Sequence, residues 1–136
     1  MEPWIVVGVS RLERQSQLHW AVHESLRWET GLLIVHCYEE RLETEMPDPS
    51  DEQVSAATSV LEQAAQLARS LGSRPETKLY DGFAGEALVE ASDGARLLVI
   101  GSTHRSRLSQ AMHSSVSSYC VRHAHCPVAV VPLGDR

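Results

Sequence analysis

Five short strand-like runs, Trp4–Val9, Leu32–Tyr38, Thr77–Tyr80, Leu97–Ile100 and Val128–Val131, alternate with longer stretches of helical character. The order is βαβαβαβαβ. Four of the runs, Trp4–Val9, Leu32–Tyr38, Leu97–Ile100 and Val128–Val131, are apolar nearly throughout instead of alternating with polar residues, which calls for cover on both faces of the sheet. Parallel strands joined by helices satisfy that demand, and their crossovers are right-handed. The expectation is one α/β domain over residues 1–136, a doubly wound five-stranded parallel sheet with helices on both faces. At this length a chain buries a single sizeable core.

The helical segments carry their own punctuation. In Leu12–Trp28, Leu18, Ala21, Val22, Ser25 and Leu26 recur at helical spacing, and Gly31 reads as the stop. Asp51–Leu71 is rich in Ala, Gln and Leu with no Pro or Gly, and predicts the longest helix, ending at Gly72. Gly82-Phe83-Ala84-Gly85 leads into a helix from Glu86 to Ser92, and a last helix is expected from Ser114 to His123.

Charge separates the function classes. The net charge of −6 sits wholly between Glu39 and Glu52, where Glu39, Glu40, Glu43, Glu45, Asp48, Asp51 and Glu52 face Arg41 alone. With Pro47 and Pro49 inside it, this segment reads as a solvated loop. The remainder is neutral and has no basic stripe, so nucleic acid is not an expected partner. No apolar run approaches the ~20 residues of a membrane span, and Met1-Glu2-Pro3-Trp4 lacks the basic start of a signal peptide. Cys37, Cys120 and Cys126 do not form a disulfide framework. Reduced thiols and a cytoplasmic location are expected.

The stretch Leu97–Pro132 is the candidate site. A strand runs into Gly101-Ser102, a polar loop follows, and Ser114-Ser115-Val116-Ser117 opens a helix. Backbone N–H groups and hydroxyls at such a helix start can cradle phosphate. In sheets of this kind ligands bind beyond the carboxyl ends of the strands, where the winding reverses. That brings Val9-Ser10, His36–Tyr38 and the Gly101–Ser117 loop to one rim.

The chain resembles the universal stress protein family. The resemblance covers nearly the whole length and rests on Ile5-Val6-Val7-Gly8-Val9, Leu33-Ile34-Val35-His36, Gly85-Glu86-Ala87-Leu88, and Leu98-Val99-Ile100-Gly101-Ser102. Ser115-Val116-Ser117 and Arg122-His123-Ala124-x-Cys126-Pro127-Val128 complete it. Members that bind ATP carry glycine, two residues, glycine, nine residues, glycine, then serine or threonine. Gly101 matches the first glycine and Ser115 the hydroxyl, but His104 and Ser114 replace the other two glycines. Ser10 stands where the family tends to place a nucleotide-contacting aspartate. Glycine lets phosphate approach the backbone closely, and the His104 ring and the Ser114 Cβ both fill that space. Loss of a carboxylate at Ser10 removes an acceptor, typically a contribution of ~1–3 kcal/mol.

What the resemblance implies is therefore a degraded nucleotide site, with no tightly held cofactor and with ATP or AMP bound at low affinity. In a nucleotide-binding module Val9, Ser10, Cys37, Gly101, Ser102, Ser115, Val116 and Ser117 would line the pocket, with His104 and Ser114 in its loop. Arg105 and Arg107, with His104 and His113, make the loop locally positive, which favours a small anion over none. The triple change His104→Gly, Ser114→Gly and Ser10→Asp is expected to create ATP affinity if the degraded loop alone prevents it.

Other chemistries find less in the sequence. His19 and His23 stand four apart on a predicted helix, a spacing that can grip a metal, but no zinc-protease pattern and no paired CxxC accompany them. There is no G-x-S-x-G elbow and no Gly-Lys-Ser/Thr loop, and Lys78, the only lysine, falls in a predicted strand. The expectation is a non-enzymatic, stress-associated protein acting through contacts with an unidentified protein partner, with an adenine-nucleotide-binding module as the alternative. The last run, Pro127 to Pro132, is apolar and bracketed by prolines, which suits an edge strand. In the family this strand commonly pairs with its twin, so Val128–Val131 is the expected homodimer contact.

Overall fold

The computed structural model describes residues 4–10, 15–38, 50–102 and 116–132. Its elements are β1 (Ile5–Val9), α1 (Ser16–Arg27), β2 (Leu32–Tyr38), α2 (Asp51–Ser70), β3 (Glu76–Asp81), α3 (Ala84–Ala91) and β4 (Leu97–Ser102), with β5 (Val128–Pro132) last. Between β4 and β5 residues 116–123 are helical and are called α4. The five strands form one sheet in the order β3-β2-β1-β4-β5, with every pairing parallel. The doubly wound fold expected from the strand and helix order is the fold observed.

Strand alternation divides the core into two layers. On one face Ile5, Val7, Leu32, Ile34, Leu97 and Val99 pack with Leu18, Ala21 and Val22 of α1 and Leu61, Ala64 and Ala68 of α2. On the other, Val6, Leu33, Val35, Leu98 and Ile100 pack with Leu88 of α3 and Cys120 of α4. The inward face of α2 is Ala57, Leu61, Ala64, Ala65 and Ala68, and small side chains let that helix lie close to the sheet. A capping box starts it: Ser50 Oγ accepts from the Gln53 amide at 3.2 Å, and Gln53 Oε1 accepts from the Ser50 amide at 2.8 Å. Gly72 ends it at φ 101°, with the Ser73 amide donating to Ala68 O and the Gly72 amide to Arg69 O, both at 3.0 Å.

The first helix departs from the expectation at its end and along its face. It stops at Arg27, before Gly31. Glu29 takes the left-handed position at φ 51°, Thr30 N donates to Ser25 O at 3.0 Å and Glu29 N to Leu26 O at 3.3 Å. This is the C-terminal motif that glycine usually supplies. Gly31 has another reason to be small, because a Cβ there would lie 3.4 Å from the Trp4 ring. Leu26, expected inward, is 45% exposed, whereas Gln17 on the opposite flank of the apolar face is 2% exposed.

Among the described residues no helix is long and apolar enough to cross a membrane. The acidic stretch of residues 39–49 lies outside the described residues, while Asp51 and Glu52 occupy the first turn of α2, where negative charge meets the positive end of the helix dipole.

Candidate functional site

The winding of the chain reverses at β1, because β2 and β3 extend the sheet to one side and β4 and β5 to the other. Adjacent β1 and β4 therefore flank the switch point at their carboxyl ends. The hydrogen-bond ladder opens there. β1 stays in register with β2 as far as Val9↔His36, but with β4 only as far as Val7↔Val99, although β4 continues to Ser102 beside β5.

Side chains close the end of β1 where strand partners stop. Ile5 N donates to Gly31 O at 3.0 Å on the β2 side, and Arg96 N donates to Trp4 O at 2.8 Å on the β4 side. Odd residues of β1 thus face β2 and even residues face β4. On the β2 side, His36 is 5% exposed and its Nδ1 lies 2.8 Å from Val9 O. A carbonyl only accepts, so Nδ1 carries a proton and donates it. On the β4 side, Gln17 Nε2 donates to Gly8 O at 3.1 Å, where the β1–β4 ladder would have continued. Gln15 Nε2 approaches Ser10 O at 3.5 Å. Gln17 and His36 thus pair carbonyls at the end of β1 that the strand ladders do not.

Of the residues expected at the pocket, the parallel sheet brings Val9, Ser10, Cys37, Gly101 and Ser102 to one rim. Val9 is buried and Ser10 exposed, while Gly101 and Ser102 are half-buried. The Cys37 thiol donates to Gly82 O at 2.9 Å and ties the end of β2 to the turn after β3. Gly82 makes that turn at φ 103°. Val116 and Ser117 lie half-buried in the first described turn of α4. His104, Ser114 and Ser115, with Arg105, Arg107 and His113, lie outside the described residues.

Gln17 was not among the expected site residues. A polar residue beside the apolar face of α1 gives no signal of its own; its partner, Gly8 O, lies just past the end of the β1–β4 pairing.

The remaining candidate chemistries are dispersed. His19 and His23 are exposed on α1, and no group of three or more His, Cys, Asp or Glu among the described residues is placed to hold a metal. His123 stacks on Tyr119 with ring centroids 4.1 Å apart. All three cysteines are free. Burial raises the Cys120 thiol to about 11. Burial also raises Cys126, against hydrogen bonds from Ser92 and Leu98 that lower it. Raised thiols are poor nucleophiles at neutral pH.

Comparison with known proteins agrees with this architecture. The model of the universal stress protein family matches residues 4–132. A universal stress protein of Mycobacterium tuberculosis is 30% identical over 144 residues, covering 96% of this chain and 48% of that protein. The chain thus spans about half the length of the curated relatives it matches. Two structures of universal stress proteins from Archaeoglobus fulgidus superpose with TM-scores of 0.80 and 0.75 at 24% and 23% identity. Each covers 96% of this chain, with 99% and 98% of the other chain covered, and the second is a complex with dAMP. A universal stress protein in complex with cAMP superposes at 0.77, with 21% identity, 97% of this chain and 98% of the other covered. One from Arabidopsis thaliana with AMP bound superposes at 0.64, with 19% identity, 97% and 93% covered. At these identities the structural likeness carries the fold.

Proposed function

The chain belongs to the universal stress protein family, and from that premise we propose a non-enzymatic regulatory domain that acts as a homodimer through protein contacts and holds an adenine mononucleotide weakly. The supporting observation is the end of the β1–β4 ladder after Val7↔Val99, at the switch point where ligands bind in sheets of this kind. Structural neighbours hold AMP, dAMP and cAMP. These ligands share adenine and a 5′-phosphate ester and differ at the 2′ and 3′ positions. A site for the shared part needs no triphosphate grip, consistent with His104 and Ser114 at two glycine positions of the ATP signature and Ser10 at the aspartate position.

Two features support the homodimer. β5 stands at the edge of the sheet, and its Val130 is 44% exposed, with Val121 of α4 58% exposed. An apolar edge of this kind is commonly covered by another strand, and a second copy supplies an identical one. The partner protein is left as a class: one that docks on the dimer and distinguishes its nucleotide-bound state. The free thiols fit a reducing, cytoplasmic setting.

Isothermal titration of the purified protein with AMP, and in parallel with Mg-ATP, tests the reading. Binding of AMP with a Kd between micromolar and millimolar, and weaker binding of ATP, is the expected result. No heat with either ligand at millimolar concentration overturns the nucleotide part. Tight ATP binding overturns the degraded site.

A further inference from the structure

The β1–β4 ladder stops one bond short of Gly101. Even residues of β1 face β4, and Leu98 N donates to Pro127 O at 2.9 Å on the β5 side, so odd residues of β4 turn their backbone groups towards β1. In the last bridge, Val7↔Val99, Val99 stands between Val6 and Gly8. The bond that comes next in a parallel ladder runs from Gly101 N to Gly8 O, and the pairing ends before it. Gly8 O accepts from Gln17 Nε2 instead, at 3.1 Å. The Gly101 N–H is left without a strand partner, while β5 still runs beside it through Gly101↔Val131 and Ser102↔Pro132.

This arrangement is the costlier of two. Gln17 is 2% exposed, and its Oε1 has no hydrogen-bond partner among the described residues; a buried acceptor left unpaired is destabilising. The amide cannot be turned end for end, because a carbonyl only accepts and Nε2 has to face Gly8 O. An apolar side chain at position 17 would remove the orphaned oxygen, and the Gly101 N–H is the donor that the ladder's own geometry offers to Gly8 O. In place of that one closed bond the protein keeps an unpaired oxygen on Gln17 and an unpaired N–H on Gly101. Gly101 is half-buried, not sealed, and stands at the carboxyl end of β4 beside the switch point, where ligands bind in sheets of this kind.

We infer that Gln17 is a positioning residue of the nucleotide site: by occupying Gly8 O it keeps the β1–β4 ladder from closing and leaves the Gly101 N–H to donate to the phosphate of the ligand. The inference rests on the adenine-mononucleotide reading above. Gln17 acts through Gly8 and does not itself touch the ligand. Phosphate is the ligand group with most to gain from a backbone N–H, because a hydrogen bond to a charged acceptor is roughly twice as strong as one between neutral groups.

Nuclear magnetic resonance of the isotope-labelled protein reads the Gly101 amide directly, and isothermal titration with AMP and with adenosine isolates the phosphate. In the wild type the Gly101 amide is expected to exchange with solvent much faster than the Val99 amide, and to shift on addition of AMP but not of adenosine. AMP should bind about tenfold more tightly than adenosine. Gln17→Met keeps the stem and removes both amide atoms, so Gly101 N should close on Gly8 O. Exchange at Gly101 then slows, and the AMP-to-adenosine ratio falls towards unity with adenosine affinity unchanged. A merely structural role for Gln17 would leave that ratio as it is. Should Gln17→Met fail to fold, the wild-type amide still decides. A Gly101 amide as protected as Val99, or one that AMP binding does not shift, overturns the inference and leaves the nucleotide reading standing, as does a folded Gln17→Met protein with the full AMP preference. A wild type that binds neither AMP nor adenosine removes the nucleotide reading and this inference with it.

Discussion

Phe83 and Tyr119 meet edge to face with their ring centroids 5.2 Å apart and their planes at 83°, joining the N-cap of α3 to α4 directly over Gly85. A Cβ at Gly85 would lie 2.8 Å from two atoms of the Phe83 ring and 3.0 Å from Tyr119 Cδ1. Alanine is the better helix former by about 1 kcal/mol, but here it drives the two rings apart. Gly85→Ala is expected to destabilise the protein by about 1–2 kcal/mol net, read as a lower urea midpoint with an unchanged slope. An unchanged or raised midpoint would show that the rings yield freely.

His36 is the donor for Val9 O at 2.8 Å, and both residues are buried. His36→Leu leaves that carbonyl buried and unpaired, a loss of about 1–3 kcal/mol. Asparagine can present an amide nitrogen near the position of Nδ1, so His36→Asn should recover part of the loss. Thermal denaturation of the pair measures both. Equal losses in the two variants would assign the effect to packing instead of the hydrogen bond.

Cys120 carries a pH signature. Its thiol is raised from 9.0 to about 11 by burial, so between these values the unfolded chain has released the proton and the folded chain has kept it. The unfolded state then binds fewer protons, and stability falls as pH rises through that window. Below pH 9 the contribution is fully present. Urea denaturation at several pH values from 8 to 11 should show this decline, and Cys120→Ala should flatten it.

Val130 tests the edge of the sheet. It is already 44% exposed in the single chain, so Val130→Glu should leave the fold and its circular dichroism intact. If β5 pairs with its twin, two glutamates are brought together in an apolar contact, and sedimentation equilibrium should move from dimer towards monomer. A wild type that sediments as a monomer would rule out the homodimer; a Val130→Glu protein that remains dimeric would move its interface elsewhere.

Local patterns carried much of the fold. Leu32–Tyr38 occupies the strand that its apolar run predicts, and Asp51–Leu71 differs from the observed α2 by one residue. The apolar content and β-branching of the first, and the alanine-rich, glycine-free length of the second, are sufficient signals by themselves. Gly31 misled because two physical uses of glycine look alike in a sequence. The left-handed turn went to Glu29, and Gly31 served the approach of the Trp4 ring. The flanks of α1 misled for a related reason. Leu18, Ala21, Val22 and Ser25 define the inward direction, yet Leu26 and Gln17 lie on opposite sides of it, and hydrophobicity favours the wrong one.

The sequence by itself determined the class of fold, the family, and the rim on which Val9, Ser10, Cys37, Gly101 and Ser102 stand, because these follow from strand order, local periodicity and motifs contiguous in the chain. Tertiary structure alone decided which strands part at that rim. Whether β1 keeps its hydrogen bonds to β4 beyond Val7 depends on the twist and splay of the whole sheet, a property no local pattern records. There Gln17, a polar residue with no local signal for burial, is buried and donates to Gly8 O.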